Sequence, residues 1–231
     1  MKLSYAVQKI WPKFRTLSHE QAKRFYDRMA VIQDSQYFLE RPALTDLVAN
    51  LEPAGAERWI EFGCGTGRLI EELFVRYLPL DVCYVGFDIS GTMVKLASSR
   101  LARFGDRAAI RQTNGTMRID LPDQTFDRFL STYVLDLLSN EDIDSLLSEA
   151  HRVLRTGGLL GLVSQTKGSK RLSRFVMRAW ERLYQLSPMA TGGCRPITIR
   201  SLLKNSRWRV RYRNVVIWFA VASEIVVAQK I

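Results

Sequence analysis

From residue 58 onward the chain alternates short apolar runs with longer amphipathic ones, which restricts it to a sheet of parallel strands covered by helices on both faces. The runs predict strands over 59–62, 82–87, 109–112, 126–130 and 159–163. Between the first two, Leu69, Ile70, Leu73, Phe74 and Tyr77 recur at helical spacing. Met93, Leu96, Ala97 and Leu101 do the same behind Ser90, an N-cap residue. Ile143, Leu146, Leu147, Ala150 and Leu154 mark a third helix, with Arg152 and Arg155 in its last turn and Gly157 as its C-terminal cap. A helix over 198–203 and strands over 208–218 and 224–229 close the sheet. In the first of those strands Trp208, Val210 and Tyr212 alternate with Arg209, Arg211 and Arg213, so one face is apolar and the other charged.

The 231 residues are 47% hydrophobic and 25% charged, enough to bury one sizeable core, which excludes disorder and collagen-like structure. The expected layout is a single domain over 1–231: a helical cap at 1–57, the core at 58–165, an inserted lid helix and loop at 166–196, and a closing helix and hairpin at 197–231. In the cap, Ser18 and Gln21 have capping-box spacing, and Ala22, Phe25, Tyr26 and Met29 share one helical face. A second helix is expected from Pro42, carrying Leu44, Leu47, Val48 and Leu51 and stopped by Pro53 and Gly55. The inserted helix, 170–186, places Arg174, Arg178 and Arg182 opposite an apolar stripe of Phe175, Ala179, Trp180, Leu183 and Tyr184.

The formal charge of +11 is unevenly spread. Residues 167–213 hold thirteen Lys or Arg against one acid, Glu181, so the rest of the chain is near neutral and the positive field belongs to one flank. The longest apolar run, 215–222, is far short of the roughly 20 residues a spanning helix needs. Gln8, Lys9 and Pro12 interrupt any leader-like stretch, and Cys64, Cys83 and Cys194 have neither disulfide-framework nor zinc spacing. The expected location is cytoplasmic, with peripheral contact at a membrane surface left open.

Glu61-Phe62-Gly63-Cys64-Gly65-Thr66-Gly67 follows the first predicted strand, at the sheet edge where ligands bind and where glycines let the backbone approach a nucleotide. The second strand ends in Gly86-Phe87-Asp88, whose carboxylate can accept from two ribose hydroxyls. A dinucleotide-binding turn would need a small residue at 68, where Arg68 stands. The glycine turn, Gly86-Phe87-Asp88-Ile89-Ser90, Asn114-Gly115 before Leu121-Pro122, Phe126-Asp127 through Ser131-Thr132-Tyr133-Val134-Leu135, and His151-Arg152-Val153-Leu154-Arg155-Thr156-Gly157-Gly158 together resemble class I S-adenosylmethionine-dependent methyltransferases. The motifs cover about residues 58–165 in that family's order and spacing, and the chain as a whole resembles the subgroup containing ubiquinone and menaquinone C-methyltransferases and other small-molecule enzymes.

The resemblance implies a Rossmann-like three-layer α/β/α sandwich with a seven-stranded, mostly parallel sheet and one antiparallel strand. It implies S-adenosyl-L-methionine as cofactor, no metal, and methyl transfer by in-line displacement. It assigns Glu61, Gly63, Gly65, Asp88, Ile89, Asn114, Gly115 and Ser131 to the cofactor: Asp88 to the ribose, Ile89 to the adenine face, Asn114 and Gly115 to its edge. The acceptor pocket falls to the residues after the fourth strand and the elements above them, giving Asp136, Tyr133 and Tyr26 as catalytic candidates, with Tyr37 beside them. A carboxylate at 136 can orient or deprotonate an acceptor, and it also reads as a helix N-terminal acid. His19 reads as a surface residue, His151 as structural, and Cys64 as a small loop side chain.

The expected acceptor is a small or lipid-like molecule, anionic by the charge of the flank. The inserted helix reads as a lid, as an attachment to an anionic membrane, where each basic residue contributes about 1 kcal/mol, or as a contact for RNA phosphates. The rival readings are an RNA methyltransferase and an inactive cofactor-binding partner subunit.

Overall fold

The computed structural model describes residues 16–203 and 207–231; the amino-terminal stretch read above for a leader lies outside them. Seven strands form one sheet: β1 (Arg58–Phe62), β2 (Cys83–Asp88), β3 (Ala108–Gln112), β4 (Phe126–Thr132), β5 (Leu154–Gln165), β6 (Trp208–Trp218) and β7 (Val221–Lys230). Their order is β3-β2-β1-β4-β5-β7-β6. The first five run parallel, and β7 inserts antiparallel between β5 and β6. This is the expected seven-stranded Rossmann-like sheet with one antiparallel strand.

Both faces are buried, and the two-residue period of the strands explains why the runs are continuously apolar. Trp59, Leu130, Val163 and Val227 enter one core cluster, while their neighbours Ile60, Phe129, Leu162 and Val226 enter the other. Helix α2 (Arg68–Arg76) gives Ile70 and Leu73 to the first cluster; α4 (Asn140–Val153) gives Ile143, Leu146 and Ala150 to the second. Helix α3 (Gly91–Leu101) begins at Ser90, whose hydroxyl accepts from the Met93 N–H at 3.1 Å.

Three elements differ from the sequence reading. The cap is one helix, α1 (His19–Ala49), with Pro42 inside it, where two helices were expected. The Ser18–Gln21 capping box forms as anticipated. Proline lacks the N–H that would bond the Phe38 carbonyl, yet the helix continues because its second half is held by tertiary contacts. Leu47 and Leu51 pack where a side chain on Gly161 of β5 would stand, and Asp46 accepts from Tyr212 and Asn214 of β6 at 2.8 and 2.9 Å.

Helix α4 stops at Val153, and β5 begins at once with buried Leu154 paired to Phe126. Arg155 and Gly157 therefore belong to the strand. Gly157, at φ 81°, serves an irregularity in the β4–β5 ladder instead of ending a helix. Its place in the chain was right and its partner was wrong.

The inserted helix, α5 (Arg171–Leu186), buries Ser173, Met177 and Tyr184 and half-buries Trp180. Phe175, Ala179 and Leu183, expected on the covered stripe, face outward. Helix α6 (Ile199–Leu202) precedes the closing hairpin.

The β6–β7 hairpin turns on Phe219 and Ala220 at φ 45° and 65°, where two-residue hairpins favour Asn-Gly because both positions need positive φ. A non-glycine residue there costs about 1–2 kcal/mol, of which glycine's freer unfolded chain returns about 0.5–1. Ala220→Gly is expected to stabilise the protein by about 0.5–1 kcal/mol, read as a melting temperature raised by roughly 1–4 °C.

Candidate active site

Strand order reverses between β1 and β4, and at that point the carboxyl ends of β1, β2 and β4 open into a cavity of about 490 Å³, roofed by α1 and by the segment after α5. That size suits a nucleoside with part of an acceptor. The three glycines of the β1 turn do different work. A Cβ on Gly63, at φ 79°, would lie 2.2 Å from Val134 Cγ2. One on Gly67, at φ 73°, would press on Ala97 of α3 at 3.1 Å. One on Gly65, at φ 54°, would meet nothing within 4 Å, and Gly65 lines the cavity.

The turn is fastened from β2. Gly63 and Cys64 both donate their N–H to the Phe87 carbonyl, at 2.7 and 2.9 Å. Asp88 accepts from the Gly65 N–H and the Ser90 N–H, each at 2.9 Å. Burial pushes the Asp88 carboxyl up to about 6 against the pull of those backbone bonds. Glu61, also on the wall, is pushed to about 7 by burial, although the Tyr84 hydroxyl donates to it at 2.7 Å and opposes the rise. Helix α1 locks onto the same turns through Asp27, which accepts from Ser90 Oγ at 2.6 Å, the Thr92 N–H at 3.2 Å and Lys23 Nζ at 2.7 Å. Burial alone would raise Asp27; those donors outweigh it and hold the carboxyl near about 2. The Cys64 thiol is raised by burial and by Asp88, so it stays protonated and is no nucleophile.

Of the residues assigned to the cofactor, Glu61, Gly63, Gly65, Asp88, Ile89 and Gly115 line this cavity. Asn114 does not. It is exposed, and its Oδ1 is taken by the Thr116 N–H and hydroxyl at 3.1 and 2.9 Å, an Asx turn that points the amide at solvent. Ser131 is fully buried and donates to the Phe62 carbonyl at 3.0 Å, so it fastens β4 to β1 behind the wall.

Of the acceptor candidates, Tyr133 and Tyr26 line the cavity and Asp136 does not. Tyr133 holds a left-handed backbone, φ 57°, at the end of β4, a strained conformation of the kind that gathers at functional sites. Its N–H bonds the Val163 carbonyl at 2.7 Å and its hydroxyl meets Ser223 Oγ at 2.9 Å. Tyr26 donates to the Gly192 carbonyl at 3.3 Å, and Trp180 donates to the Cys194 carbonyl at 3.0 Å. Asp136 is fully buried beside Cys194, its carboxyl raised to about 6 by burial although Arg195 attracts the charge.

Glu40 and His19, which motif spacing did not select, line the cavity from α1. Burial, with Asp136 adding its charge, pushes Glu40 up to about 7. The signal was there: Glu40 sits on one helical face with Tyr37, Leu44, Leu47 and Leu51, an acid on an apolar stripe. His19 packs its ring where a side chain on Gly115 would stand and bonds Asp142 at 3.1 Å, and its side chain is still partly exposed at the rim of the cavity, in keeping with a surface residue.

Gly63→Ala combines an overlap with left-handed strain and is expected to cost about 2–5 kcal/mol of stability. Gly65→Ala adds only the strain, about 1–2 kcal/mol. Chemical denaturation of both variants measures the difference.

Residues 60–158 match the family described as methyltransferase domain. An uncharacterized methyltransferase of Geobacillus thermodenitrificans is 27% identical over 139 residues, 60% of this chain and 61% of that protein. A tRNA N(3)-methylcytidine methyltransferase of Drosophila melanogaster is 24% identical over 149 residues, 60% of this chain and 46% of its own length. A demethylmenaquinone methyltransferase of Lactobacillus johnsonii is 26% identical over 130 residues, 56% and 51% of the two chains. The chain thus spans about half to three-fifths of the length of these curated relatives.

Among solved structures, the cyclase SpnF is similar with a TM-score of 0.70 at 16% identity, over 95% of this chain and 99% of that one. A geranyl diphosphate C-methyltransferase from Streptomyces coelicolor gives 0.68 at 12% identity, over 95% and 100%. At such identities the likeness establishes the fold.

The family's cofactor is S-adenosylmethionine, and the residues here fit it. Gly65 leaves open room on the wall, Asp88 offers acceptors for sugar hydroxyls, and Glu61 is a buried carboxylate for an ammonium. The family match falls on the strands and turns that build the cavity, and over residues 60–158 the chain is similar to the methyltransferase-domain family.

Proposed function

We propose that the chain transfers a methyl group from S-adenosylmethionine to a small or lipid-like acceptor held beneath α1 and α5. The observation that carries this reading is one continuous cavity whose wall includes both the glycine turn with Asp88 and a set of aromatic side chains, Tyr26, Tyr133 and Trp180, with Glu40 among them. When bound, the cofactor supplies a methyl on a positively charged sulfur, already an activated leaving group.

The chain's own work is therefore positioning, which can supply about 7–11 kcal/mol of a barrier. Asp88 and Glu61 hold the donor's polar groups, and Tyr133, fixed by its backbone and by Ser223, limits where an acceptor can lie. Glu40, at about 7, can take a proton at its carboxylate oxygen from an acceptor that must lose one. Asp136 acts from behind the wall, as a positioning charge on Glu40.

The basic residues of α5 face outward, while the wall carries Asp34, Glu40, Glu61, Asp88 and Asp142 against Arg68 and His19. Charge complementarity with an anion thus applies to the outer surface, and the reacting part of the acceptor is neutral or basic. The five-stranded parallel core alone does not choose the acceptor class, since one relative by sequence is named as a tRNA enzyme and one by structure as a cyclase.

Incubation with methyl-labelled cofactor and cell extract, followed by separation into lipid, small-molecule, RNA and protein fractions, tests the reading. Label is expected with the lipid or small-molecule fraction; label confined to RNA or protein, or none despite measured cofactor binding, contradicts it. Glu40→Gln is expected to lower kcat by roughly 10²-fold or more, with cofactor affinity unchanged, if the acceptor loses a proton.

Cofactor affinity is also expected to depend on pH. Hydroxyl donors favour ionised Asp88, whose carboxyl in the free protein sits near about 6, so binding below that pH must expel a proton and weakens by up to about tenfold per unit. Glu61 adds a second limb near about 7. Titration calorimetry from pH 5 to 8 reads both, and Asp88→Asn removes the lower limb.

A further inference from the structure

Helix α5 has three longitudinal faces. At 3.6 residues per turn, Leu172, Phe175, Ala179, Leu183 and Leu186 fall in one sector of about 80°. All five are exposed, Leu172, Phe175 and Leu186 by 67%, 72% and 85%. Arg171, Arg174, Arg178 and Arg182 fill the adjoining sector and are exposed as well. The third face, with Met177 and Tyr184, packs on the body. Two further exposed lysines, Lys167 and Lys170, precede the helix, and its one acid is Glu181.

A lid would bury its apolar row over the cavity and leave the arginines in water. Here the row that covers the cavity is the Trp180 face, and a second apolar row lies outside, edged by cations. An apolar row beside a cationic row is the pattern of a helix that lies in the plane of a lipid interface. Soluble partners with acidic surfaces would match the arginines, but they give no reason for five apolar side chains in one file.

The row also ends in a telling place. In the turn after Leu186, Met189 is exposed as well, and the next residues, Ala190 and Thr191, line the cavity. A second exposed apolar group, Phe38, Trp218 and Phe219, stands beside wall residues Tyr37 and Val221.

We infer that the outer face of α5 docks the protein on an anionic lipid bilayer, with the apolar row in the acyl boundary and the arginines on the headgroups, so that the cavity wall lies next to the membrane surface. The inference goes beyond the proposed chemistry, because the surface docks whether or not a methyl acceptor is found.

The test uses the full chain and co-sedimentation with vesicles of phosphatidylcholine alone or mixed with phosphatidylglycerol. At least about tenfold stronger binding to the mixed vesicles is expected, weakened by added salt. Both the triple variant Arg174→Gln, Arg178→Gln, Arg182→Gln and the double variant Phe175→Ser, Leu186→Ser should lose it. These side chains are exposed and outside the cavity, so cofactor binding by calorimetry should stay at the parent value in both. That readout separates failure of the docking surface from failure of the site. Equal binding to the two vesicle types overturns the inference, as does binding that survives both variants. Self-association, or RNA binding, that depends on these residues in a chain that ignores mixed vesicles overturns it too.

Discussion

The carboxylate of Asp88 accepts from the backbone of the β1 turn at Gly65 and from the backbone entering α3 at Ser90, and so fixes two loops that no shared strand would hold in register. Its neighbour Phe87 takes two more N–H groups of the same turn. Through Ser90 the network reaches Asp27 and with it the roof helix. Floor, wall and roof of the cavity therefore meet at a few hydrogen bonds, each worth about 1 kcal/mol net but costly to break singly because the partner groups are buried.

The roof depends on a second constraint, the length of α1. Its C-terminal half is bonded to β6 and packed on β5, while its N-terminal half sits on the turn at Gly115 and on the α3 entrance. Two shorter helices could each satisfy one set of contacts. One continuous rod links them, so the acid at 40 and the ring at 26 take positions dictated by strands far away in sequence.

Legibility followed physical cause. Strand β6 is readable to the residue because alternating Trp and Val against Arg has no competing explanation. The β1 and β2 turns are readable because glycine and aspartate there answer to local backbone needs. Periodicity, by contrast, states that a helix has an apolar sector and not what covers it. In α5 it joined Trp180 and Tyr184, which are covered, to Phe175 and Leu183, which are not. At Asn114 and Ser131 the turn and the strand end were placed correctly, but each side chain found a nearer partner, Thr116 in one case and the Phe62 carbonyl in the other. The apolar stripe on which Glu40 stands marks it as covered, but that the cover is a cavity wall follows from tertiary packing.

The fit of Val134 into the space beside Gly63 makes these two positions unequal partners in any mutational history. Trimming the valine would remove the overlap that a side chain at 63 meets, but not the left-handed strain at φ 79°. The overlap ties the turn at Gly63 to a side chain beyond the end of another strand.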